Sequence, residues 1–398
     1  METQQNPNIN VIRGTAIFLF AVLWCELFLQ VSIYYWSGKP FTSLHPYVWS
    51  PYGLVRNNPK FNSPGYSINR NGFREVKDYA QTKPPNTVRV MLLGGSVLYA
   101  GLGGKPLPGV PRVTSAETIS QYLTEELKSA PNCKDKHIEV INTAVNYNRI
   151  SEIVPAYLDD YINWDSDLII VGSSINNFYG GITPASRLLG RHPWEVEFQR
   201  LVNDSGMASS IEVIFRRLSD NLASAAVAGK FAQKLGIYLE SRLTAKSSGR
   251  GTEANMVVEK NTESLNARNL ERFGSYASAL LAAAKAKNQK VTFFWEHDIW
   301  NAAAFKPMSQ EEVLLKKLNP PDENPYYWQQ RNWVRDFLKA KDAEFIDPQP
   351  EMTKYSGTIY IDYGHYTAGG NAFMAKVIAG RLLEKNICAY SGSKAPTR

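Results

Sequence analysis

The sequence predicts an α/β protein: a three-layer α/β/α sandwich around a parallel sheet of about five strands, preceded by one transmembrane helix. Three observations lead there. Residues 14–36 form an almost unbroken apolar run. From residue 88 onward, short apolar runs of strand length alternate with stretches of helical periodicity, the pattern of strands joined by crossover helices. The polar residues able to do chemistry stand just after those runs, where an open parallel sheet forms its crevice. A chain of 398 residues with 44% apolar and 20% charged content can bury a substantial core.

Taken in order, residues 1–13 are a short polar tail. As a helix, residues 14–36 span about 34 Å at ~1.5 Å per residue, enough for a hydrocarbon core of ~30 Å. Glu26 and Gln30 interrupt the run and lie four apart, on one helix face. Tyr34, Tyr35 and Trp36 suit the membrane interface, and Cys25 falls within the apolar stretch. No small-residue cleavage site follows, so a retained anchor is expected over a removed signal peptide. Residues 37–87 carry repeated Pro, Asn and Gly with no sustained period. Trp49, Tyr52, Phe61 and Phe73 need burial, so this lead-in is expected to be extended and packed on the domain.

The domain itself is expected over 88–390, with residues 391–398 a flexible tail. Its strands are read at Val88–Leu93, Ile138–Asn142, Asp167–Val171, Lys290–Trp295 and Ala343–Ile346. Helices are read at Ser115–Ser129, Glu152–Asn163, Arg268–Lys287 and Ala368–Glu384. Residues 178–267 form an insertion with helical stretches at Ser210–Asp220 and Ala223–Thr244. It is expected to cap the active-site end of the sheet, or else to lie with its basic residues on a membrane surface.

Several function classes drop out. Net charge is +7, but Lys and Arg are dispersed, and no reading module accompanies them, so nucleic acid is not an expected partner. Of the three cysteines, none forms a Cys-x-x-Cys pair, which excludes zinc ribbons and thioredoxin-like sites. Cys133 and Cys388 each end a helix, which leaves a disulfide open in an oxidising compartment, the alternative being two isolated thiols. Trp295-Glu296-His297-Asp298 ends a strand, but no second ligand cluster accompanies it. Neither a metal nor another cofactor is expected, and His297 is a candidate for substrate contact or a structural role.

The chemistry is carried by Ser96, which follows Gly94-Gly95 at the exit of the first strand, and by Asp362-Tyr363-Gly364-His365 ahead of the last helix. A serine hydroxyl is a poor nucleophile until a neighbouring base takes its proton. Imidazole serves as that base best when a carboxylate fixes its tautomer and stabilises its charged form. Ser96, His365 and Asp362 are therefore the candidate nucleophile, base and orienting group.

The order Gly-Gly-Ser, Asn142-Thr143-Ala144, Ser174-Ile175-Asn176 and Asp362-x-x-His365 resembles the SGNH/GDSL hydrolase family, in its membrane-anchored bacterial form. The nucleophile block runs over Gly94–Gly101 and the last block over Asp362–Gly370. Asn69–Arg74 is similar to the segment that precedes the nucleophile strand in such members. The resemblance covers roughly 65–178 and 268–386. It implies a flavodoxin-like sheet, and an oxyanion hole built from the Asn176 side-chain amide and the backbone N–H groups of Ser96 and Ala144. Two places depart from the pattern. Ala144 and Tyr147 stand where the family carries glycine, and Asn177 stands where it carries an acid. Tyr147 and Asn177 are further candidates for substrate contact.

Three functions follow from these residues. The first is a membrane-anchored esterase on the periplasmic side, removing O-acetyl or other small acyl groups from a cell-envelope or exported polysaccharide, or acting on a lipid ester. The second is acyl transfer to a polysaccharide, which requires a multi-span membrane partner to deliver the acyl group. The third is an inert envelope binding or assembly protein, motivated by the two altered blocks.

Overall fold

The computed structural model describes residues 7–37, 46–49, 55–63, 65–101, 106–172, 174–178, 262–319 and 324–389. The expected insertion over 178–267 therefore lies outside the described residues, apart from Phe178 and 262–267. So do Tyr52 and the tail beyond residue 389.

Helix α1 runs over Pro7–Ser37, and its segment Thr15–Trp36 is long and apolar enough to cross a membrane, with mean hydropathy 2.1. Glu26 and Gln30 within it pair, as their spacing predicts: Gln30 Nε2 donates to Glu26 Oε1 at 2.6 Å. Two short antiparallel hairpins follow, Tyr47–Trp49 with Val55–Asn57 and Asn62–Ser63 with Tyr66–Ser67. The lead-in packs on the domain through Phe73, whose buried ring meets Trp164 edge-on at 4.7 Å. Asn57 Nδ2 donates to Ala144 O at 3.0 Å, and Glu75 Oε1 accepts from Asn142 N at 2.9 Å.

The central sheet has five parallel strands: β1 (Thr87–Gly94), β2 (His137–Asn142), β3 (Leu168–Gly172), β4 (Lys290–Phe294) and β5 (Glu344–Ile346). Their spatial order is β2-β1-β3-β4-β5, the flavodoxin-like order. Register aligns the strand ends. Leu92 pairs with Asn142, Gly94 with Gly172, Gly172 with Phe294 and Phe294 with Ile346. One rim thus gathers the chain after all five strands.

Alternation along the strands feeds two cores, because successive side chains point to opposite faces. Val88, Val90 and Leu92 of β1 join α3 (Ile119–Ser129) and α11 (Ala368–Glu384) through Leu123, Leu127, Met374 and Ile378. Met91 and Leu93 face α4 (Ile150–Asp159), α6 (Thr262–Ala286) and α9 (Tyr327–Ala340) through Ile153, Tyr157, Phe273 and Leu338. The other helices among the described residues are short and sit at the rim or beside it: α2 (Ser96–Tyr99), α5 (Ser174–Phe178), α7 (Ile299–Ala302), α8 (Gln310–Leu318) and α10 (Gln349–Met352).

A disulfide joins Cys133, in the turn after α3, to Cys388, in the turn after α11, with Cα atoms 5.3 Å apart. It closes a loop of 255 residues in sequence separation, and such a link restricts the unfolded chain. Replacing both cysteines by alanine, or adding reductant, is expected to cost about 2–5 kcal/mol. Urea unfolding with and without reductant measures this, and coincident curves would contradict it.

Candidate active site

The turn that carries the candidate nucleophile is shaped by close approach. A Cβ on Gly94 would lie 2.3 Å from Gly172 O, and one on Gly95 would lie 1.9 Å from Asn176 Nδ2 and 2.9 Å from Asn148 O. Only glycine lets the ends of β1 and β3 and two further loops meet there. Ser96 then opens α2, which ends at Ala100 in the left-handed region (φ 60°). As the first helical residue, Ser96 presents an N–H that has no intrahelical acceptor. The residue is 7% exposed.

The candidate base, His365, stands on a tight loop after β5. Ile361 N donates to His365 O and Thr367 N to Ile359 O, both at 2.8 Å. Thr367 caps α11, its Oγ1 accepting from Gly370 N at 2.9 Å. Asp362 is fully buried, and its Oδ1 accepts from the backbone N–H of Gly364 and of His365, each at 2.9 Å. Both carboxylate oxygens face His365 Nδ1, at 2.8 and 2.9 Å. An ionised carboxylate only accepts, so Nδ1 carries the proton and Nε2 carries the lone pair. His365 is 2% exposed and Nε2 has no hydrogen-bond partner. The loop is braced from α7: Ile299 N donates to Tyr363 O at 2.9 Å, and Trp300 stacks on Tyr363.

Helix α5 touches both halves of the site. A Cβ on Gly364 would be 3.1 Å from Ile175 Cδ1, and the Asn176 amide lies against Gly95, next to Ser96. Consecutive residues of one turn thus adjoin the loop of the base and the turn of the nucleophile. Asn176 Nδ2 donates to Asn148 O at 3.0 Å, which commits one of its two N–H groups. No hydrogen bond joins the Ser96 hydroxyl to Nε2 in this structure, since Nε2 is unbonded. Catalytic hydrogen bonds of this kind are often long or unmade until substrate is present.

Other candidates are used differently. The Ala144 N–H donates to Asn142 Oδ1 at 3.1 Å and its side chain is buried in the core, so the backbone of Ala144 is not an oxyanion donor here. Tyr147 adopts φ 68°, the conformation a glycine would favour. Asn177 Oδ1 accepts from Ile150 N at 3.1 Å, at the start of α4. His297 is fully buried, with Nε2 2.7 Å from Asp347 Oδ1 and Nδ1 2.6 Å from the Tyr327 hydroxyl. Both ring nitrogens of His297 are thus engaged within the protein, which fits the structural role. Burial alone would raise the Asp347 carboxyl, but its bond to His297 and the nearby Arg331 hold it down at about 2.

Two features of the site escape motif reading. Glu296 is 1% exposed behind α5, where burial pushes its carboxyl up to about 8. Tyr47, Tyr66 and Tyr99 cluster around Arg74, whose guanidinium lies 3.7 Å from the Tyr66 ring centroid, and the hydroxyls of Tyr66 and Tyr99 are hydrogen-bonded. This cluster ties the lead-in to α2. Its sequence signal is the aromatic content of residues 47–66.

Comparison with known proteins gives structural likeness only. No family model and no curated protein matches the sequence. Among solved structures, the chain is similar to Axe2, an acetylxylan esterase from Geobacillus stearothermophilus. That match has a TM-score of 0.39 and 12% identity, covering 79% of this chain and 99% of that one. It is also similar to a putative lipolytic protein of the G-D-S-L family from Desulfitobacterium hafniense DCB-2. There the TM-score is 0.36 and the identity 9%, covering 74% and 99%.

Proposed function

We propose that this chain is a serine esterase of the SGNH/GDSL type, held to a membrane by α1, that removes O-acetyl or similar small acyl groups from a polysaccharide outside the cytoplasm. The observation that carries the reading is the buried Asp362–His365 pair, which leaves Nε2 unbonded on the same rim as Ser96. In the first half-reaction Ser96 Oγ bonds to the ester carbonyl carbon as its proton passes to Nε2. The C–O bond to the sugar then breaks, and the sugar oxygen takes that proton. Water repeats the sequence on the acyl-enzyme, releasing the acid and restoring Ser96. Charge on the carbonyl oxygen is met by the Ser96 N–H and by the Asn176 amide.

The anchor reading is supported by the apolar segment Thr15–Trp36. The outward side is supported by the Cys133–Cys388 disulfide, because such bonds persist in oxidising compartments.

A polymer substrate is supported by a groove of about 470 Å³ beside the nucleophile helix, with Phe61, Ser63, Tyr66, Arg112, Thr114 and Asn146 among its walls. It reaches Gly101, whose N–H donates to Ser96 O at 2.8 Å. Aromatic faces with flanking hydroxyl, amide and guanidinium groups suit sugar rings, and the position suits units next to the acylated one. The test is acetate release by the full-length protein from an O-acetylated oligosaccharide, compared with p-nitrophenyl acetate. Ser63→Trp and Arg112→Ala are expected to lower kcat/KM for the oligosaccharide about tenfold or more and to leave the small ester unaffected. Equal effects on both substrates would contradict a role for the groove, and failure of the wild type to cleave any acyl ester would contradict the function.

A further inference from the structure

The carboxyl of Glu296 is a buried acid at the rim that the reaction above leaves unused. It follows β4 and sits behind α5. Its Oε2 accepts from Ser174 Oγ at 3.3 Å and from Ile175 N at 3.4 Å. Its own N–H donates to Ser174 Oγ at 2.7 Å, and Ser174 Oγ lies 3.2 Å from its carbonyl. On the other side, a Cβ on Gly172 would meet Glu296 Oε1 at 3.0 Å and Leu98 of the nucleophile helix at 2.8 Å. Glu296 therefore backs both α5 and the floor beneath α2. Its Oε1 is buried with no hydrogen-bond partner.

We propose that Glu296 is a positioning residue, whose carboxyl seats the Ser174–Asn176 turn on the strand ends and thereby sets the Asn176 amide beside Ser96. The proposal rests on the serine-esterase reading for its kinetic consequences, though not for the seat itself.

The seat works with an uncharged carboxyl. Burial disfavours the anion and outweighs the bonds from Ile175 and Ser174, so the acid form prevails below about 8. Few groups are placed to compensate a charge there. Tyr366, whose hydroxyl is buried and unbonded, is the ionisable side chain that interacts with Glu296 from the loop of the base. His297 is committed to Asp347 and Tyr327, Asp298 to the first N–H groups of α7, and His365 to Asp362. Ionisation would leave Oε1 charged and without a donor, so either water enters or the side chain moves out. Both loosen the bonds to Ser174 and Ile175. The competent arrangement is thus lost as pH rises through about 8.

The experiment compares the full-length wild type with Glu296→Gln and Glu296→Ala on p-nitrophenyl acetate, from about pH 6 to about pH 9.5, either side of the shifted value. Wild-type kcat is expected to fall toward tenfold per pH unit above that value. Glutamine, uncharged throughout, should retain kcat near neutrality and lose this alkaline limb. Alanine should lower kcat about a hundredfold, the scale of a lost oxyanion donor, with KM little changed. An alkaline limb that persists in Glu296→Gln, or full kcat in Glu296→Ala, overturns the proposal. A second readout is independent of turnover: the Ile175 amide resonance in isoleucine-labelled Ser96→Ala protein. It should titrate near the same pH and become invariant when Glu296→Gln is added, and an invariant resonance with Glu296 present also overturns the proposal. Absence of turnover in every protein, with Ile175 still titrating, would refute the esterase reading and support the seat.

Discussion

Ser96→Ala is expected to lower acetyl-ester turnover about a thousandfold or more while leaving the fold unchanged. The hydroxyl makes no hydrogen bond among the described residues, so its loss removes no structural contact of that kind. Val97, Leu98 and Tyr99 hold α2 in the core without it. What disappears is the atom that bonds to the carbonyl carbon. Residual turnover would come from Asn176 and the N–H of residue 96, which still stabilise the oxyanion when water attacks directly. Steady-state kcat beside the thermal midpoint checks this. A variant that keeps wild-type turnover would exclude Ser96 as the nucleophile.

Asp362→Asn is expected to lower kcat about ten-thousandfold near neutral pH, again with little loss of stability. The geometry explains why so small a change matters. Asp362 Oδ1 accepts from two backbone N–H groups, and an asparagine Oδ1 can take the same place. That puts the asparagine N–H₂ at the Oδ2 position, facing His365 Nδ1. Two donors cannot pair, so the ring proton is driven to Nε2, and the nitrogen that must accept the serine proton becomes a donor. The pH profile of kcat, read with the thermal midpoint, separates this from unfolding. Activity within tenfold of wild type would show that Asp362 does not set the tautomer.

Much of this was legible in the sequence because its signals are local. Each of the five strands is a short apolar run, and the closing helix Ala368–Glu384 begins where Thr367 supplies a cap. Helix α6 begins at Thr262, earlier than its periodicity suggests, and α4 stops at Asp159, with a separate turn at Tyr161–Asn163. Helices α7 and α8 went unread, although Asp298 and the Ser309–Glu312 capping box announce them. Helix α9 lacks such a cap and owes its place to Val334 and Leu338 in the second core.

The site divides along the same line. Gly94-Gly95-Ser96 and Asp362-x-x-His365 are contiguous, so their residue types can be read directly. The uses of Ala144, Asn177, His297 and Glu296 depend on partners distant in sequence. Asn177 bonds to a helix start 27 positions earlier, and Glu296 backs Ser174 across 122 positions. Such pairings are set by the sheet register, which brings strand ends together only once the chain has folded.

The claim on which the account stands is that Ser96 becomes nucleophilic through His365. Treating the full-length protein with a fluorophosphonate and mapping the adduct by peptide mass tests it most directly. The account predicts one adduct, on Ser96, lost in Ser96→Ala and formed much more slowly in Asp362→Asn. No adduct on Ser96 in folded protein, or labelling whose rate ignores Asp362, would contradict it.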